Sequence, residues 1–202
     1  MDEPRHGKVR RVVSSVFIPR RIATIRDQIY GQAKQIVDDI ADQSEPVEFV
    51  RAVSARLPMW TVSEMIGIPE HQRQEVTDAA APLTAWDDES TSATDALTTM
   101  FTGISTLHAR CQELIEARRE SPRDDLISAL VQAEVDDVRL TDEKIRAFFV
   151  LLCVAGNDTT KQTTTHTLLA LTRHPDQRAY LLEGFEDRID HAIEESFVGR
   201  RR

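Results

Sequence analysis

VAGNDTTKQTTTHTLLAL, Val154 to Leu171, lies inside what otherwise reads as a long apolar helix. Between Gly156 and Thr167, 12 residues hold one Gly, one Asn, one Asp and six Thr. A Gly in a helix interior costs about 1 kcal/mol relative to Ala, and Asn, Asp and Thr cost several tenths each. A sequence that breaks a local rule inside a strong pattern marks the place to look for function.

The pattern around the stretch is a helix. Thr141 is a good N-cap, and Asp142 and Glu143 follow where the helix dipole favours acids. The helix should run to His174-Pro175, because a residue before proline resists helical geometry. That is about 32 residues, or roughly 48 Å at about 1.5 Å per residue. Its first half, Phe148 to Ala155, is apolar all round, which predicts burial on every side and makes this element the spine of the fold. In that setting Asp158 needs a partner or a task. Gly156 would let another group approach the backbone. Thr159 could bond its hydroxyl to a carbonyl one turn back and bend the helix. An acid and an alcohol beside a local opening would make a proton relay. The plainer alternative is a polar seam packed against other helices.

Composition agrees with an all-α chain. Of 202 residues only 7 are Gly and 8 Pro, and aromatics make up 5%. Cys111 and Cys153 stand in no metal-ligand spacing, which suggests a reducing compartment without a disulfide framework. MDEPRHGKVRR at the N-terminus has no apolar segment of a signal peptide, and the run from Ala147 to Gly156 is too short to span a bilayer. A soluble, cytoplasmic protein is expected. The formal charge of −9 is unevenly placed: residues 1–34 carry a net +5 and the remainder −14. A basic N-terminal face could meet nucleic acid, an acidic protein or an anionic cofactor, or could simply be solvated.

Along the rest of the chain, Pro19 should stop any earlier helix, and Ile22, Ile25, Ile29, Ala33, Ile36, Val37 and Ile40 mark an amphipathic helix to about Asp42. Val47 to Arg56 reads as a second helix ended by Pro58, and Trp60 to Ile66 as a third. Gly67-Ile68-Pro69-Glu70 is a stop followed by a new start. Leu83 to Asp95 reads as a flexible loop, Ala96 to Arg119 as a long helix, Asp124 to Val135 as a short one, and Asp136 to Leu140 as a turn. No segment shows convincing strand alternation.

Ala155-Gly156-Asn157-Asp158-Thr159-Thr160 resembles the Ala-Gly-x-Asp/Glu-Thr-Thr signature of the central I helix of bacterial cytochrome P450 monooxygenases. His6 to Arg10 followed by Phe17-Ile18-Pro19-Arg20 resembles the family's C-helix pattern, and Met65 to Pro69 its E-helix ending. Asp125 to Leu130 is similar to the H helix, Leu140 to Glu143 to the approach to the I helix, and His174 to Gln177 to the start of the J helix. These matches keep the family's order over nearly the whole chain. The resemblance implies the central helical part of the P450 fold, residues 1–202, as one partial domain with the I helix as its spine. It implies O2-dependent hydroxylation of a small apolar organic substrate on haem. Ala155 and Gly156 would make room for haem and dioxygen, and Asp158 and Thr159 would deliver the protons that break the O–O bond. His6 and Arg10, one helical turn apart, would bind the haem propionates. The basic N-terminal face would receive a ferredoxin-type redox partner, with no nucleic acid and no membrane involved. Leu83 to Asp95 would lie near the mobile F–G lid.

The chain departs from the family in two places. The Gly-rich loop that supplies the haem Cys thiolate has no counterpart here, and neither Cys111 nor Cys153 has its surroundings, so no metal ligand is assigned. Ala192 to Glu195 resembles the start of the K helix, but Val198 stands where that helix carries Arg, and Gly199-Arg200-Arg201-Arg202 follows. The expectation is a fragment, or a frameshifted product, without the β-sheet portions and inactive alone. The alternative is a haem-free helical module that binds a protein or apolar ligand. A helical transcription regulator is a third, weaker option, since no helix-turn-helix is recognisable.

Overall fold

The computed structural model describes residues 19–84, 93–135 and 138–198. Helix α1 spans Pro19–Ala41, followed by a π-helical turn, Val50–Ser54. Then come α2 (Arg56–Ile66), α3 (Glu70–Ala80), a 3-10 turn (Ala81–Leu83) and α4 (Ala93–Glu120). Helix α5 (Leu126–Gln132) leads into two-residue antiparallel strands, β1 (Glu134–Val135) and β2 (Val138–Arg139). Last are α6 (Asp142–Arg173), α7 (Pro175–Glu183) and α8 (Phe185–Val198). The all-α reading holds, apart from that minimal hairpin within the expected turn.

Several boundaries correct the sequence reading. Pro19 is the first residue of α1, and the segment it was expected to end lies outside the described residues. Pro58 sits in the first turn of α2, where its missing N–H costs no intrahelical bond. The expected helix from Val47 to Arg56 contracts to the π turn. Asp125 caps α5 by accepting from the Ser128 N–H at 2.8 Å, and that helix ends at Gln132, three residues before Val135.

The core forms where α4 meets α6. Leu107, Cys111 and Ile115 recur at four-residue steps on α4 and are fully buried. They pack with Ile145, Phe149 and Cys153, spaced identically on α6 and equally buried. Each such large side chain contributes roughly 1.5–3 kcal/mol by leaving water. Ile66, Ile68, Val76, Leu126, Ile127 and Leu130 extend this core beneath α2, α3 and α5. Among the described residues no helix is long and apolar enough to cross a membrane.

One buried polar cluster ties three helix ends together. Gly67 ends α2 in the left-handed region, φ 92°, and its N–H donates to the Ser63 carbonyl at 2.9 Å. The Gly67 carbonyl accepts from Arg118 Nη2 of α4 at 2.9 Å, while Arg118 Nε donates to Asp125 Oδ2 at 2.5 Å. Arg118 and Asp125 are 4% and 5% exposed, so the pair is removed from water. A side chain at position 67 would place its Cβ 2.3 Å from Asp125 Oδ2, so both the backbone angle and the space call for glycine.

Removing one partner of a buried pair strands the other, at a cost of about 3–5 kcal/mol. Arg118→Met should therefore lose stability on that scale in urea unfolding monitored by circular dichroism. A loss under about 1 kcal/mol, the range of surface pairs, would show that the cluster is not a structural tie.

Candidate active site

Helix α6 has one sealed face and one open face. Ile145, Phe149 and Cys153 are fully buried against α4. Leu151, one turn before Ala155, is 57% exposed, and Ala155 and Thr159 are exposed as well. The expectation of burial on every side is thus corrected. The all-round apolar sequence covers a buried stripe and an uncovered one, because the described neighbours leave the side bearing Leu151 and Ala155 open.

On the open face, Thr159 Oγ1 donates to the Ala155 carbonyl at 2.9 Å. Thr163, Thr164, Thr165 and Thr167 repeat this back-bond over the next two turns, each to the carbonyl four residues earlier, at 2.7–2.9 Å. Six poor helix formers are thereby reconciled with an unbroken helix, since most of their hydroxyls find acceptors inside it. With its proton engaged by Ala155, the Thr159 oxygen is left to accept a hydrogen bond from outside.

Asp158 is less buried than the sequence suggested, and it has a partner. Its Oδ1 lies 2.7 Å from Lys161 Nζ, and the two side chains are 30% and 22% exposed. A half-exposed pair on one helix is worth under about 1 kcal/mol, so the carboxylate is held yet easily redirected. Lys161 was overlooked in the sequence, although its spacing of three from Asp158 is a readable signal.

Gly156 points elsewhere. A Cβ there would meet Val62 Cγ2 of α2 at 2.6 Å, so the glycine lets α2 approach α6 closely. The structure therefore brings Ala155 and Thr159 together, puts Asp158 beside them on the flank, and turns Gly156 toward α2. Nothing in the sequence pointed to Val62, because a contact between helices some 90 positions apart leaves no local pattern. His6 and Arg10 lie outside the described residues, as do most of the basic N-terminal face and residues 85–92 of the expected lid.

The two cysteines sit in the α4–α6 core, both fully buried. Burial pushes each thiol up to about 12, against an ordinary 9.0. A metal-ligating thiolate needs the opposite environment. Among the described residues no group of three or more His, Cys, Asp or Glu could hold a metal ion. For haem the fit is one-sided: the open face of α6 offers a small residue and a hydroxyl, while neither cysteine can reach an iron on that face.

These geometries give two expected outcomes. Both thiols should resist a disulfide reagent at pH 8 and react once the chain is unfolded. Because their folded values are raised, the stability from keeping them neutral is intact below pH 9.0 and is lost as pH rises toward about 12. Fast labelling of the native chain would contradict their burial. For the α2–α6 contact, Gly156→Ala should cost about 1–3 kcal/mol through overpacking, and adding Val62→Ala should restore part of it. Strict additivity of the two changes in denaturant unfolding would deny the contact.

Comparison with known proteins supplies the wider setting. A model described as Cytochrome P450 matches residues 71–193. The steroid C26-monooxygenase of Mycolicibacterium smegmatis is 32% identical over 177 residues, which make up 88% of this chain and 40% of that protein. The methyl-branched lipid omega-hydroxylase of Mycobacterium tuberculosis is 34% identical over 197 residues, 96% of this chain and 46% of that one. Among solved structures, a Mycobacterium marinum cytochrome P450 in complex with pseudoionone superposes with a TM-score of 0.90 at 47% identity, covering 97% of this chain and 48% of that one. The chain thus spans less than half the length of these relatives. By its matched residues, its helices and its structural neighbours, the chain belongs to the cytochrome P450 family.

Proposed function

We propose that residues 1–202 form one helical domain carrying the dioxygen-facing wall of a haem monooxygenase, and that the open face of α6 is the part that would meet haem. One observation carries this reading: Thr159 and Ala155 are hydrogen-bonded on an exposed face, beside a carboxylate paired with Lys161. Haem, when bound, would supply the activation of dioxygen for insertion of one oxygen atom into a C–H bond. Ala155 keeps the surface shallow enough for a flat ring to approach. To act in a relay, the Thr159 hydroxyl would release the Ala155 carbonyl and turn to donate its proton to whatever occupies that surface. Asp158, exposed on one side, exchanges protons with solvent and restores the one that Thr159 gives up. Gly156 acts one step back, by setting the depth of α6 against α2. His6 and Arg10 would donate to the haem propionates, and the basic N-terminal face would receive a ferredoxin-type partner.

The substrate class we assign is a small apolar organic molecule. Its relatives include a steroid monooxygenase and a lipid hydroxylase, which supports this class. A cytoplasmic setting suits this reading. As an isolated polypeptide the chain should not turn over substrate, because the environments of Cys111 and Cys153 oppose a thiolate on the iron.

The test is a haem titration of the purified chain, reduced under carbon monoxide and followed by its Soret band. No thiolate-type red-shifted band should form, and Ala155→Phe should weaken any residual haem association at least several-fold. A thiolate-type band from the chain alone would refute the assignment of both cysteines to the core. Haem association indifferent to Ala155→Phe would move the haem-facing wall off α6 and favour a haem-free binding module.

A further inference from the structure

We draw no further inference here: the strongest candidate, the largely apolar trough of about 560 Å³ between α1, α2 and α6, is an open face, and nothing in the structure shows what covers it.

Discussion

The arrangement of the described helices depends on one buried ion pair. Arg118 and Asp125 lie at the two sides of the α4–α5 junction, and through the Gly67 carbonyl they also hold the end of α2. Buried pairs seldom add net stability, because desolvation offsets most of the attraction. What this pair contributes is placement. Arg118 can satisfy its donors only if α2 ends where it does, and α2 can end there only because Gly67 accepts a left-handed backbone angle. From that fixed point α2 runs back along α6, and Val62 reaches Gly156.

Helix α6 is then divided by its neighbours. On one side α4 completes a dry seam around Phe149 and Cys153. On another, α1 and α2 leave the apolar trough beside Gly156. On the third, Leu151, Ala155 and Thr159 meet solvent. The face bearing Thr159 and Asp158 presents a hydroxyl and a carboxylate, whereas the cavity between α1, α2 and α6 is lined mainly by apolar side chains, with hydroxyls from Ser54, Thr61, Thr160 and Thr164. Leu168, Leu182, Ile193 and Phe197 are exposed as well. A monomer in water rarely keeps so much apolar surface without a partner.

The cysteines show how one residue type can be read in opposite ways. In a family whose chemistry depends on a thiolate, two cysteines invite assignment to the metal. Their place in the α4–α6 seam decides otherwise, since burial stabilises the neutral thiol and closes off any approach to an iron. They behave here as small core side chains.

Much of this protein was legible in the sequence. The 32-residue span of α6 followed from Thr141 at one end and Pro175 at the other, both local signals. Asp158 and Thr159 stood out because Gly, Asp and Thr are costly in a helix, and that cost is a property of the residues themselves. Proline was misread at Pro58, because the same ring that ends one helix is tolerated in the first turn of the next. Only the tertiary structure decided which sides of α6 are covered, that Asp158 pairs with Lys161, and that Gly156 serves α2 rather than the open face. Periodicity tells which residues share a face, but what covers that face is set by helices distant in sequence, and burial belongs to the pair and not to either helix alone.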